Sequence, residues 1–486
     1  MIIQISELIS FLPLLVLLFT VILLIIFISF YRHHLSVLII SILGLSISGL
    51  SLFLIDFNFL YINKFIIFDR STIFYTSILI FTSITVCFAS YNWLSNHNLN
   101  SEEFYILLLI SVLGCMILIL SNHMITFFLS MELMSLPIFG LIGYVINNKY
   151  SLNSSIKYII LSSVSSSFLL FSIAILYALF GNLNFIILGN ILNDITLSEH
   201  IIFLLSMLMI LVSISLKLSL FPFHLWTKDI FEGLSLPVSF YISTLVKFSI
   251  LIAFLKLLFC IPLYYNREIF YLLYFFAFFS IIIGNIMALF ENSIQKIIGY
   301  SSISHVGYAI SIFISLKNFD LALETIGIYF ISYILSSIGF FTIINHISNI
   351  YNIPSENYLS YYRGLFWKHP ILSLCATFMV FSLLGIPLTV GFIGKFYILM
   401  LIINSKFYFL ILSIIIGSVL SLYYYLRIII NFYLPISKSG QINNYKHNMK
   451  LFSFNNLLLF FLFLIIFIFG IYPKILIDYI NLMYNI

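Results

Sequence analysis

From Phe11 to Phe30 the chain reads FLPLLVLLFTVILLIIFISF, twenty residues without a charge. A four-residue interruption (YRHH, 31–34) follows, and then a second apolar run begins. Long apolar runs divided by brief polar ones continue along the sequence. Runs of roughly 17–25 residues are what a helix needs to cross a bilayer. Run length and loop punctuation predict fourteen membrane spans, near 8–30, 35–55, 72–92, 104–120, 123–146, 154–180, 201–223, 238–260, 270–290, 297–316, 325–348, 371–400, 408–433 and 452–472. The pattern predicts an all-α polytopic membrane protein.

Composition agrees. Of 486 residues, 63% are hydrophobic and 8% are charged, against about 25% charged in soluble domains. No loop is long enough to hold a soluble domain; the longest polar stretches are 349–369 and 434–450. The net charge of +5 therefore carries no implication of nucleic acid as a partner. The densest basic group, Lys438, Lys446 and Lys450, suits an anionic membrane face. With the N-terminus outside, ten basic residues fall in inner loops (Arg32, Lys149, Lys228, Lys296, Arg363, Lys368, Arg427, Lys438, Lys446, Lys450). Seven fall in outer loops (Lys64, Arg70, Lys256, Arg267, Lys317, Lys406, Lys474), which favours both termini outside. The N-terminus lacks the basic region and cleavage site of a signal peptide and reads as a retained first span. Cys87, Cys115, Cys260 and Cys375 lie in apolar runs without metal-ligand spacing and read as buried thiols.

Four of the 21 basic residues remain, and these change the picture. Lys157, Lys217, Lys247 and Lys395 fall inside apolar spans, as does one carboxylate, Glu132. A charge at a helix centre costs about 2.5–3.5 kcal/mol, so five cost on the order of 12–17 kcal/mol. Such residues usually mark an ion or proton pathway. Desolvation disfavours an ammonium and a nearby carboxylate restores it. A buried lysine whose neighbour changes distance or charge can therefore load and release a proton. There is no cluster of deep carboxylates of the kind a dehydrated Na⁺ would need, which favours H⁺.

Two of these spans contain helix breakers. In LKLSLFPFHLW, Pro222 obstructs the carbonyl of Leu218. In SLLGIPLTVGFIGKFYIL, Gly385, Pro387, Gly391 and Gly394 crowd the twelfth span. Broken membrane helices are tolerated where they are buried in protein or line a wet cavity, and paired breaks in two halves of a chain point to a transport site. The seventh span is fourth in a five-span block (spans 4–8) and the twelfth is fourth in the next (spans 9–13). Blocks of five helices make the second copy inverted. The predicted organisation is a three-helix segment (1–103), a first five-helix repeat (104–260), a second (261–433), and a basic loop with a final span (434–486).

His224 follows the first break and His305 lies in the tenth span, in GYSSISHVGY. With an unperturbed pKa near about 6.5, each is a candidate proton carrier between lysines as well as a structural group. GFIGK (391–395) is not a phosphate loop, because it lacks the GxxxxGK spacing and has Phe396 after the lysine. No dinucleotide fingerprint, cysteine cluster or haem-ligand pair occurs, so the chain itself is expected to hold no cofactor.

With these segments in hand, the chain resembles the antiporter-like membrane subunits of proton-pumping NADH:quinone oxidoreductase (respiratory complex I). The matching stretches are ELMSLPIFGLIGY (132–144), SSIKYIILSSVSSSFLLF (154–171), LKLSLFPFHLWTKDIF (216–231), GYSSISHVGY (299–308), YRGLFWKHPIL (362–372), GFIGKFYIL (391–399) and LYYYLR (422–427). They run from the fifth span to the thirteenth. The resemblance implies that Glu132 is the fifth-span glutamate of that family, and that Lys157, Lys217 and Lys247 are its lysines of spans six, seven and eight. Lys395 would be the charged residue of its broken twelfth span, a lysine here where one sister subunit carries a glutamate.

It further implies that quinone reduction elsewhere in the complex drives charge rearrangement along a polar axis. Glu132–Lys217 would be the modulating pair, with Lys247 the link towards Lys395. FMN, iron–sulfur clusters and quinone would belong to partner subunits, and the partners would include further antiporter-like subunits in the bilayer. The untruncated fourteen spans favour a bacterial inner membrane over a mitochondrial one. Two other readings are open to the sequence: the large subunit of a multi-subunit cation/proton antiporter, and a non-pumping scaffold whose deep charges pin helices together.

Overall fold

A computed structural model describes residues 5–55, 65–96, 100–146, 148–191, 197–260, 267–315, 319–351, 358–435 and 454–484. Lys438, Lys446 and Lys450 of the expected basic loop, and Lys64 and Lys317, lie outside the described residues. Those described form helices joined by short connectors, with isolated β-bridges in place of any strand.

Among the described residues, twelve helices are long and apolar enough to cross a membrane. The expected twelfth span is two shorter apolar helices, Pro370–Leu384 and Val390–Asn404. The expected fourteenth, Phe454–Ile471, is followed after a sharp bend by a further helix, Lys474–Tyr484, which the sequence reading lacked. The all-α polytopic fold thus stands: among the described residues the twelve long helices, the two halves of the broken twelfth span and the bent final pair together make roughly fourteen spans.

Helices Lys149–Phe180 and Phe319–Tyr351 extend beyond their predicted spans, because their added turns are too polar to count as apolar run yet continue the backbone hydrogen bonding. Lys256 had been counted in an outer loop. It lies within helix Lys247–Cys260, four residues before the helix ends and inside the span predicted over 238–260.

The chain divides into two compact units, residues 1–219 with 245–272, and residues 220–244 with 273–486. In the first, a three-residue connector (121–123) joins helices Ser101–Leu120 and Met124–Ile142. His123 bridges to Asn184, and Phe185 N–H donates to the Asn122 carbonyl at 3.1 Å. In the second, the connector 291–293 joins helices Arg267–Phe290 and Ile294–Ile314. Ser293 bridges to Tyr358, and Leu359 N–H donates to the Asn292 carbonyl at 3.0 Å. Within each unit, then, the same connector pairs with the chain that follows the third helix of its five-span block. This correspondence is independent of residue identity.

Burial distinguishes the helices. Lys149–Phe180 presents much of its surface outward as apolar side chains, among them Ile156, Ile160 and Phe171, as a lipid-facing helix must. Ile294–Ile314 is the opposite case, with its spanning window buried throughout. It is the least apolar of the twelve, and its Ser, Tyr and His side chains face protein.

Candidate functional site

In the first unit, helix Leu197–Leu218 carries Lys217 in its last turn. The Lys217 ammonium lies 3.6 Å from a Glu132 carboxylate oxygen, with the lysine side chain 4% exposed and the glutamate 27%. At that separation the two groups attract without a hydrogen bond, and neither atom has another hydrogen-bond partner among the described residues. A pair held this loosely can be tightened or released by small side-chain movement. The unpaired carbonyls of a helix C-terminus add a partial negative charge beside the lysine.

The helix ends at Leu218, as the proline at 222 leads one to expect. Ser219 takes a left-handed backbone (φ 60), and a turn leads to the short helix Trp226–Gly233. Lys247, buried, begins helix Lys247–Cys260. Immediately before it comes a π-helical turn, Ile242–Val246, for which the apolar sequence ISTLV gave no signal. Such turns are rare and gather at functional sites. The Lys247 ammonium donates to the Ser219 hydroxyl at 2.8 Å, and that hydroxyl donates to the Leu218 carbonyl.

In the second unit, helix Pro370–Leu384 ends at Gly385 in a left-handed conformation (φ 80). After the break, helix Val390–Asn404 carries Lys395, which is buried. Its ammonium donates to the Leu384 carbonyl at 2.7 Å and sits 5.5 Å from the ring centre of Tyr308. A cation on an aromatic face, shielded from water, gains about 2 kcal/mol.

His305 is also buried here. Its Nδ1 is 2.9 Å from the Tyr329 hydroxyl, which donates to the His305 carbonyl at 3.1 Å. The Tyr333 ring lies 4.6 Å from the imidazole, and its hydroxyl donates to the Ser243 carbonyl at 3.2 Å. Tyr424 donates to Asn285 at 3.0 Å. Sequence reasoning missed these tyrosines and Ser219. The only signal was spacing: His305 and Tyr308 lie three apart, and Tyr329 and Tyr333 four apart, each pair on one helix face. Among 32 tyrosines that spacing does not stand out.

His224 is buried in the second unit. Its ring lies 5.6 Å from that of Phe221, and its carbonyl accepts from the Thr227 amide and hydroxyl. Its Nδ1 is buried without a hydrogen-bond partner among the described residues. The following helix is clamped by two ion pairs, Lys228–Glu291 at 3.0 Å and Lys296–Glu232 at 2.9 Å. Glu291, through a hydrogen bond and its charge, holds the Lys228 ammonium above its ordinary pKa.

Lys157 differs from the other deep charges in its exposure. It lies in helix Lys149–Phe180 but on an exposed face. Among the described residues no three His, Cys, Asp or Glu side chains gather as a metal site would require.

Known proteins resemble this chain in sequence and in fold. Residues 121–421 match the family described as NADH:quinone oxidoreductase/Mrp antiporter, TM. NADH-quinone oxidoreductase subunit N of Buchnera aphidicola subsp. Schizaphis graminum (strain Sg) is 42% identical over 486 residues, covering 99% of both chains. Its counterpart from the subspecies Acyrthosiphon pisum (strain APS) is 42% identical over 440 residues, covering 90% of both. Among solved structures, a chain of respiratory complex I from Thermus thermophilus with bound aureothin superposes with a TM-score of 0.79 at 22% identity, covering 96% of this chain and 98% of that one. A chain of the Mrp complex from Dietzia sp. DQ12-45-1b gives 0.82 at 14% identity, with 98% and 97% covered. At these identities the structural likenesses speak for the fold.

Proposed function

The chain belongs to the NADH:quinone oxidoreductase/Mrp antiporter family, within its subunit N group, and from that premise we propose that Glu132, Lys217, Lys247 and Lys395 carry its proton transfer. It is a multi-pass, proton-translocating membrane subunit of NADH-quinone oxidoreductase, and so part of a translocase.

The observation that carries the assignment is the Glu132–Lys217 pair: an ion pair at 3.6 Å, buried on the lysine side, with no hydrogen bond locking it. When the pair closes, Glu132 neutralises the lysine's field. When it opens, Lys217 presents an uncompensated charge at the end of its helix, and Lys247, anchored one residue beyond that end, responds to it. In the second unit Lys395 rests on a helix C-terminus and on the Tyr308 face, with His305 hydrogen-bonded nearby as a second proton-bearing group. His224, buried beside the first break, is a further candidate carrier. Lys157, on an exposed face, suits contact with lipid or a partner chain within the same set of charges.

FMN, iron–sulfur clusters and quinone are assigned to partner subunits, together with further antiporter-like membrane subunits and a bacterial inner membrane as the location. The subunit N name of the two bacterial relatives supports these assignments. The two-repeat division (104–260 and 261–433), with 1–103 before it and 434–486 after, is supported by the matching connectors and by a broken fourth helix in each block.

The test is Lys217→Ala in membrane vesicles. Protons pumped per NADH oxidised are expected to fall at normal assembly, and unchanged pumping sinks the role of Lys217. An undiminished NADH-driven gradient in Lys395→Ala does the same for Lys395. The cation/proton antiporter reading draws on the likeness to an Mrp chain, which at 14% identity concerns the fold. It requires sodium-driven proton movement in vesicles without NADH.

A further inference from the structure

The two helix breaks end alike but treat their lysines differently. Each half-helix stops in a left-handed residue, Ser219 (φ 60) after Leu218 and Gly385 (φ 80) after Leu384. Each leaves last-turn carbonyls without helical partners, and each has a buried lysine ammonium at that end. At Gly385 there is no side chain, and Lys395 reaches the Leu384 carbonyl directly. At Ser219 a hydroxyl stands between Lys247 and the Leu218 carbonyl.

Serine is a poor choice there on backbone grounds, because a left-handed conformation is unfavourable for residues with a Cβ and free for glycine. Ser219 is fully buried, so solvation does not account for it. What serine adds is its hydroxyl. A carbonyl only accepts hydrogen bonds, whereas a hydroxyl both donates and accepts. With Lys247 charged, the Ser219 oxygen accepts from the ammonium and gives its own proton to the Leu218 carbonyl. With Lys247 neutral, the amine has a lone pair, and the same hydroxyl proton can swing from the Leu218 carbonyl to Nζ without leaving Oγ. Nζ is then hydrogen-bonded at one place in both charge states.

We infer that Ser219 is the positioning residue of Lys247, a two-way hydroxyl that holds the amine in place through proton loading and release. The inference rests on the reading above that Lys247 carries a proton. It also gives the two lysines different surroundings for a reason: Lys247 is held in both states, while the Leu384 carbonyl and the Tyr308 face that hold Lys395 favour only its charged form. Ser219 lies two residues after Lys217, so the anchor of one lysine is built on the helix end that bears the other.

The decisive variant is Ser219→Gly in the intact respiratory complex. It relaxes the backbone while removing the hydroxyl, so a merely structural role predicts no loss. Assembly, NADH oxidation and proton pumping are measured together in inverted vesicles, beside Ser219→Asn and Lys247→Ala. Asparagine tolerates the left-handed region and supplies both an acceptor and a donor. The expected result is normal assembly with pumping reduced roughly tenfold in Ser219→Gly, the scale of a lost charged hydrogen bond, and substantial recovery in Ser219→Asn. Wild-type pumping in Ser219→Gly overturns the inference, as does failure of that variant to assemble or an equal loss in both variants. Wild-type pumping in Lys247→Ala defeats the parent reading instead, whatever Ser219 does.

Discussion

Placing an alanine at Gly385 and another at Gly181 separates the cost of a left-handed cap from the cost of moving Lys395. Both glycines end a helix at positive φ, 80 and 63. Around Gly181 an added Cβ meets nothing within 4 Å, so Gly181→Ala carries the backbone penalty alone, about 1–2 kcal/mol. At Gly385 the same atom lies 2.8 Å from Cδ of Lys395, and the lysine must shift or the break must open. Overpacking of this kind costs a further 1–3 kcal/mol, roughly. A lysine displaced from the Leu384 carbonyl forfeits a charged hydrogen bond of about 1.5–3 kcal/mol. The assay is thermal inactivation of the purified complex together with protons pumped per NADH in vesicles. Gly181→Ala is expected to lower stability slightly and leave pumping per NADH intact. Gly385→Ala is expected to lose more stability and to pump poorly. Indistinguishable behaviour of the two variants would refute the view that the break positions Lys395.

Two further outcomes are expected. Tyr308→Phe keeps the ring face beneath Lys395 and should pump near normally, whereas Tyr308→Leu removes the face, worth about 0.5–2 kcal/mol, and should pump more slowly; equal pumping in the two removes the ring from the mechanism. His123 caps helix Met124–Ile142 by accepting from the Ile125 amide through Nδ1, and burial pushes its pKa below the ordinary histidine value. The unfolded chain therefore binds the extra proton first: the cap's contribution is complete above pH about 6.5 and is lost as pH falls from there towards the lower folded-state value. His123→Asn, an equally good cap, should match the native protein at pH 7.5 and melt at a higher temperature at pH 5.5; parallel melting curves at both pH values contradict this.

The spans were legible in the sequence because bilayer thickness imposes a length, and length survives in one dimension. The breaks were legible because Pro222 and Gly385 act on the backbone locally. Direction around a helix was not. Lys157 and Lys217 both read as deep, yet one faces outward and the other is buried, because depth along an axis says nothing of azimuth when the whole run is apolar. The π-turn before Lys247 left no trace in ISTLV, which carries no glycine or proline to mark a departure from the α-helix. Ser219 was one serine among many, and its meaning came from the left-handed backbone and the lysine 28 residues on. The tyrosines around His305 gain significance from helices that the sequence could not bring together.

The helix Ile294–Ile314, buried throughout its spanning window, bears on biogenesis. As the least apolar of the long spans, rich in serine and carrying His305, it is poorly suited to partition alone from the translocon into lipid. It becomes comfortable only when neighbouring helices surround it. Its insertion is therefore expected to be cooperative, retained beside the channel until later spans emerge, so that a ribosome stalled soon after residue 314 would leave a segment that slips back or is degraded. The polar residues of this helix, His305 of the proposed proton route among them, would thus also set the order in which the protein can be built.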